Sequence, residues 1–272
     1  PIMEAASQAG GKRKLFVDEK GNIYKPANKN ELKFYQQLEH ENDHFLKKNS
    51  LIPEFRGVLE GDDGERIIME NLLHGMKTPC IIDIKLGDMP VGSFPSEPAH
   101  DDTSKLMGLD EAFVENILQR YGAAKKGLPE SEWATITPEQ VGVESLALAS
   151  SIPKAFKALR QLHVIRKTSS RHMALRVCGV VWRPPADAAA ALQERSISRK
   201  QTEWFSSKED VMSTLRMFLG TDLKAAAGVR DATPAAEKFL AKIRLMEEFF
   251  RSHADFRTYA TSVVCVYDSS DP

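Results

Sequence analysis

The sequence predicts an α+β protein of two lobes, a small antiparallel β-sheet N-lobe followed by a larger α+β C-lobe. Three observations carry that expectation. A chain of 272 residues with 42% hydrophobic and 28% charged residues can bury a sizeable core, and at roughly 150 residues per domain it makes one large domain or two lobes. Up to about Leu72, short β-prone runs alternate with Gly, Asp and Asn turn signals around a single helical segment. Beyond Pro153, apolar residues recur at helical spacing in longer stretches interleaved with β-rich runs.

Taken in order, Lys14–Val17 and Ile23–Lys25 flank the turn-rich Asp18–Asn22 and read as a β-hairpin closed by Pro26. From Asn30 to Lys48 the spacing of Leu32, Tyr35, Leu38 and Phe45 predicts one helix with Glu31 in its first turn. Strands follow at Phe55–Leu59 and Arg66–Glu70 about the turn Gly61–Gly64, and the small lobe ends near Asn71–Leu72. Pro79–Gly87 is a further strand. Pro90, Gly92, Pro95 and Pro98 then open a stretch, about 88–151, that reads as an insertion with a weakly periodic helical piece at Glu111–Arg120. Helices are expected at Pro153–Lys167, Lys208–Leu219 and Thr233–Phe250, the last with Phe239, Ile243, Met246, Phe249 and Phe250 apolar. Strands are expected at Ala174–Trp182 and Tyr259–Tyr267, with a loop at Pro184–Ala191.

Composition narrows the function classes. Lys+Arg 37 against Asp+Glu 38, a net charge of -1, excludes a uniformly basic nucleic-acid binder. Cys80, Cys178 and Cys265 are widely spaced and odd in number, which suggests neither a disulfide framework nor a cysteine zinc site, and points to a reducing, intracellular setting, cytoplasmic or nuclear. The longest apolar runs fall far short of the roughly 20 residues of a membrane span, and the first residues are no signal peptide.

Two segments carry chemistry. Along Pro79–Gly87, alternation sends Ile82, Ile84 and Leu86 to one face and sets Asp83 beside Lys85 on the other. D-x-K is a common pattern, and a cross-face ion pair on an edge strand accounts for it as well as a reactive pair does. Between Lys154 and Arg183 the chain carries Lys154, Lys157, Arg160, Arg166, Lys167, Arg171, Arg176 and Arg183 without any Asp or Glu. In a nearly neutral protein that segregation suits a polyanion, with a solvated basic face or a nucleic-acid patch as the alternatives. Lys157, Arg160 and Gln161 share one helix face, with Phe156, Leu159 and Leu162 on the other. Phe156 is the helix's one base-stacking side chain, which disfavours nucleic acid.

Pro79, Asp83, Lys85 and Gly87 together reproduce the P-x-x-x-D-x-K-x-G signature, and the chain resembles the inositol polyphosphate kinase family. The likeness extends to Gln8–Gly11 (a glycine-containing nucleotide loop), Tyr24–Pro26, Asn30–Tyr35, Ile52–Val58 and the S-S-L-L-like Tyr259–Asp268. Lys157–Gln161 and Leu175–Gly179 are closest to the inositol hexakisphosphate kinase branch. The resemblance implies a two-lobed kinase-like fold, lobes 1–73 and 74–272 with ATP in the cleft, and ATP-dependent phosphorylation of an inositol polyphosphate by a monomer using Mg2+. It implies that Lys25, paired with Glu31, binds phosphate, that Glu70 to Leu72 form the adenine hinge, that Asp83 holds the ribose, and that Ser262 lies at the nucleotide. Lys85 then contacts the transferring phosphate and the inositol, while Lys157, Arg160, Gln161 and Lys200 grip the substrate.

The departures lie after Gly87, where the insertion remodels the substrate rim, after Lys200, where the family's glycine and arginine are absent, and at the end of the chain. The family places its magnesium-binding aspartate in an I-D-F segment well beyond the last strand. Asp255–Phe256 lies before that strand, and Asp268 and Asp271 lie too close to it, so the metal ligands stay unassigned and a chain truncated before that segment is the expectation. The alternatives are a catalytically impaired homologue that binds inositol phosphates without turnover, and a basic scaffold for nucleic acid or anionic lipid.

Overall fold

Two antiparallel sheets organise the chain, each with helices folded onto it. The computed structural model describes residues 2–4, 15–27, 29–41, 44–61, 64–87, 108–142, 152–185, 192–223, 231–253 and 261–272. The Gln8–Gly11 loop, Asp255–Phe256, Tyr259–Ala260 and the ends of the insertion lie outside them.

The first sheet collects β1 (Ile2–Glu4), β2 (Phe16–Asp18), β3 (Asn22–Pro26), β4 (Phe55–Leu59) and β5 (Arg66–Glu70) in the order β1-β2-β3-β5-β4. The expected hairpin is β2–β3. Its turn is fixed by Asp18, whose carboxylate accepts hydrogen bonds from the Lys20 and Asn22 amides, the Asn22 side chain and the Tyr24 hydroxyl. Those donors, the Asn22 side chain foremost, hold its pKa down to about 2. Gly21 closes the turn at φ +75, and a Cβ there would stand 2.8 Å from the His74 ring, so glycine is demanded by conformation and by space.

Between the hairpin and β4, α1 (Lys29–Glu39) buries Leu32, Tyr35 and Leu38. Leu32 and Tyr35 meet Ile67 and Met69 of β5, and Tyr35 stacks on Phe55 at 5.7 Å. The single helix expected over 30–48 is instead two. His44 starts a new one, α2 (Phe45–Lys48), by accepting the Leu46 amide on Nδ1. The break turns Phe45 away from the sheet and onto Phe249, ring centroids 5.7 Å apart, a distant contact that helical spacing does not encode.

Continuing, the chain forms β6 (Pro79–Leu86), α3 (Glu111–Lys125), α4 (Pro138–Val141), α5 (Ile152–Lys167), α6 (Ser170–Met173), β7 (Leu175–Trp182), β8 (Arg195–Ile197), α7 (Arg199–Thr202), α8 (Lys208–Phe218), α9 (Thr233–Ser252) and β9 (Ser262–Asp268). The second sheet runs β8-β7-β6-β9, all antiparallel. Its core face presents Cys80, Ile82, Val177, Val180 and Tyr267 to Val211 and Phe218 of α8 and Ala235 of α9. Each fully buried large side chain contributes about 1.5–3 kcal/mol. Tyr267 also donates its hydroxyl to the Phe218 carbonyl at 2.6 Å, so its polar tip is satisfied inside that core.

The helical piece of the insertion is more than a surface appendage. Asp110 caps α3 by accepting the Ala112 and Phe113 amides, and Val114 and Ile117 then pack on Phe156, Leu159 and Leu162 of α5, with Tyr121 stacked on Phe156 at 3.8 Å. The expected apolar face of α9 is only partly covered. Phe249 is buried, whereas Ile243 is 48% exposed. Among the described residues no helix is long and apolar enough to cross a membrane.

Candidate active site

The P-x-x-x-D-x-K-x-G segment is β6 and the turn after it, and each signature residue has a local reason. Pro79 opens the strand, where a missing amide costs no ladder bond, and its carbonyl accepts from Arg183 Nη1 at 2.7 Å. Gly87 adopts φ +100 with nothing within 4 Å of an added Cβ, so conformation and not space requires glycine. Its amide donates to the Ala174 carbonyl at 2.7 Å, tying the end of β6 to the start of β7.

Asp83 and Lys85 occupy the face of β6 opposite the core. Asp83 lies across from Val264 of β9 and Gly179 of β7, and Lys85 across from Ser262 and Arg176. The strand is central, not an edge, and the two side chains make no ion pair. Asp83 Oδ1 is buried without a hydrogen-bond partner among the described residues, and so is Arg176 Nη1. Burial, and then the Arg176 and Arg199 charges, push the Lys85 pKa below its usual value. The register of β6 on β7 slips between Asp83 and Ile84, leaving Cys178 as the extra residue of a bulge. Burial, reinforced by Asp83, raises the Cys178 thiol's pKa, so the thiol is inert and marks how closely these groups gather. The Asp83 oxygen without a donor, and Lys85 and Arg176, which form no ion pair among the described residues, face one side of the sheet, as a polyanionic ligand with hydroxyls requires.

The basic run divides between architecture and site. Lys167 binds Glu111 and Glu115 of the insertion helix at 2.7 and 3.1 Å, Arg166 donates to the Leu109 carbonyl at 2.8 Å, and Arg183 reaches both Pro79 and Glu194. Three cations of the run therefore hold the fold together. Lys157 and Arg160 are exposed on α5 above the buried Phe156, Leu159 and Leu162, as amphipathic spacing predicts. Gln161 is half-buried beside them, and Lys200 is exposed on α7.

The remaining expected residues sit on the first sheet or at its exit. Lys25 of β3 donates to Glu31 of α1 at 2.6 Å. Glu70 ends β5, with Oε2 accepting the Glu54 amide at 3.3 Å, and Leu72 is exposed in the turn that follows. Ser262, exposed on β9, is the cross-strand neighbour of Lys85. Asp268 is committed elsewhere. It accepts the Lys77, Thr78 and Ser270 amides and the Thr78 hydroxyl; burial works against the ionised form, but those donors keep its pKa low. It fastens the end of β9 to the start of β6 and is no metal ligand in waiting. No cluster of three or more metal-binding side chains occurs among the described residues.

Sequence reasoning missed Arg199. Its signal was the Ser198–Gln201 capping box, which starts α7 there and sends Arg199 to the sheet while Lys200 stays exposed.

With this geometry in place, comparisons with known proteins add three findings. The family model of inositol polyphosphate kinase matches residues 66–272, which includes β6, the basic run and β9 but not the Lys25–Glu31 pair. Among solved structures, the chain is similar to the inositol phosphate multikinase of S. cerevisiae in complex with ADP and Mn2+, at 17% identity and a TM-score of 0.48, over 92% of this chain and 88% of that one. No curated protein matches significantly.

Proposed function

The chain belongs to the inositol polyphosphate kinase family, and from that premise we propose that it transfers the terminal phosphoryl group of ATP to an inositol polyphosphate, with inositol hexakisphosphate the first acceptor to test. The observation that carries the reading is the uncompensated face of β6: Lys85, short of a counter-ion and partly desolvated, beside the unpartnered Asp83 Oδ1 and Arg176 Nη1. Phosphoryl transfer asks little covalent chemistry of a protein and much placement of positive charge. Lys85 gains its missing partner when a phosphate arrives, and it stabilises charge developing on the transferred group. Asp83 offers a carboxylate oxygen to a hydroxyl, which the family resemblance makes a ribose hydroxyl. Lys25, held by Glu31, adds a cation from the first sheet, with Glu70 and Leu72 at the exit for adenine. Lys157, Arg160, Gln161 and Lys200 receive the outer phosphates of the acceptor. The sequence of Lys157–Gln161 and Leu175–Gly179 favours the hexakisphosphate branch.

Magnesium in such a reaction neutralises the phosphates. It is satisfied by one or two carboxylates with phosphate oxygens and water, and Asp83 can offer one such oxygen.

The test is transfer of label from ATP to inositol hexakisphosphate and to lower inositol phosphates by the purified chain with magnesium. Labelled inositol product that vanishes in Lys85→Ala supports the reading. Label released only as inorganic phosphate refutes it, and calorimetric binding of inositol phosphates without turnover is the result expected of the impaired homologue.

A further inference from the structure

Beside the Lys85 face, a shallow pocket opens between α5, β7 and α7. Its enclosed space is about 10 Å³, room for about one water, so a phosphate meets it at the rim, where the Arg199 side chain is more than a third exposed. Thr168 just after α5, Arg176 and Cys178 of β7, and Arg199, Thr202 and Glu203 of α7 and its C-cap line it together with Val164 and Val177. The threonines have no proton to spare, since Thr168 donates to the Val164 carbonyl and Thr202 to the Arg199 carbonyl. The buried Cys178 thiol is a weak donor. The strong donors are two guanidiniums, and Arg176 keeps a buried Nη1 without a described partner. Arg199 has one loose restraint, the Glu203 carboxylate at 3.8 Å from Nε, with both side chains more than a third exposed. Exposed pairs at such distances hold weakly. A full phosphate charge beside two guanidiniums, in charge-assisted and bidentate contact, holds far better.

We propose that Arg199 is a substrate-binding residue that receives one phosphate of the acceptor, and that Glu203 is its displaceable counter-ion, which occupies the guanidinium until substrate arrives and thereby lowers affinity for anions carrying too few phosphates to compete. The inference rests on the inositol phosphate kinase reading for the identity of the acceptor. It concerns binding, so it is read without turnover.

The experiment measures calorimetric binding of inositol hexakisphosphate and, separately, of ATP to the 272-residue chain and to Arg199→Ala, Arg199→Lys, Glu203→Gln and the double variant Arg199→Ala/Glu203→Gln, with thermal melts to certify folding. Removing Arg199 should weaken inositol hexakisphosphate roughly tenfold or more, the scale of one charge-assisted contact, and Arg199→Lys should recover only part because the bidentate fork is lost. Glu203→Gln should tighten inositol hexakisphosphate severalfold at low salt, and the double variant should match Arg199→Ala, because an absent guanidinium cannot be released. ATP affinity should move less than twofold throughout. No gain in Glu203→Gln, a gain that survives in the double variant, equal losses for both ligands, or a wild-type chain that does not bind inositol hexakisphosphate each overturns the proposal. Binding that follows the expected pattern without phosphate transfer leaves it standing while the kinase reading falls.

Discussion

Replacing Lys85 by methionine separates the cost of a buried charge from its use. Lys85 is partly desolvated, faces Arg176 and Arg199, and has no carboxylate paired with it among the described residues, so burial and like charge depress its pKa. Methionine keeps the length and apolar stem while deleting the charge, so folding should lose nothing and should gain by removal of an uncompensated cation. Catalysis should fall by on the order of 10²–10³, the scale of one preorganised electrostatic contact. The sign with pH follows from linkage. The unfolded lysine keeps its proton to about pH 10.4, while the folded one releases it earlier, so wild-type stability rises with pH through that window. The excess melting temperature of Lys85→Met should therefore shrink as pH climbs from 7 toward 10. The assays are paired melts by circular dichroism across pH and phosphate transfer at pH 7. A methionine variant that melts below wild type at pH 7, or that turns over within tenfold of it, refutes the reasoning: the first outcome means Lys85 has a stabilising partner, the second that its charge is not used.

Two further outcomes follow from the same geometry. Glutamate at Lys157 and Arg160, both exposed above a buried apolar face, should leave the melt within about 0.5 kcal/mol of wild type. Binding of inositol hexakisphosphate should weaken by about 1.5–3 kcal/mol per site, with ATP nearly unaffected in calorimetry. Asp268→Asn should destabilise the chain at neutral pH, since the ionised carboxylate accepts four hydrogen bonds. Because its folded pKa is depressed, its contribution is full above about pH 4 and fades as acid protonates it; acid melts of wild type and variant should converge there, and the magnesium dependence of any transfer should be unchanged.

Elements set by local periodicity or turn chemistry were legible from the residues alone: the β2–β3 hairpin, the alternation of β6, and the amphipathic α5 and α8. So was the pairing of Asp83 and Lys85 on one face, which needs only a strand. What escaped depended on partners distant in the chain. No proline or glycine marks the break before Phe45, and the contact it serves, Phe45 on Phe249, joins segments far apart in the chain. The division of the basic run could not be read because Glu111, Glu115, Leu109 and Glu194, which absorb Lys167, Arg166 and Arg183, belong to segments whose pairing no spacing rule supplies. Arg176 escaped for a related reason. Its place beside Lys85 depends on a one-residue slip between β6 and β7, and a bulge leaves no trace in a single sequence.

The helix α9 has a mechanical consequence. At roughly 1.5 Å per residue its 20 residues form a rod about 30 Å long. Its first turns are embedded in the core of the second sheet through Ala235 and Phe239, and its far end seats Phe249 against His44 and Phe45, while Lys242 donates to the Asn49 carbonyl. The segment around α2 is thus tied, through Phe249 and Lys242, to a lever whose root lies in the core of the second sheet. A rigid tilt of α9 about its embedded first turns therefore moves Phe249, and α2 with it, further than it moves Ala235.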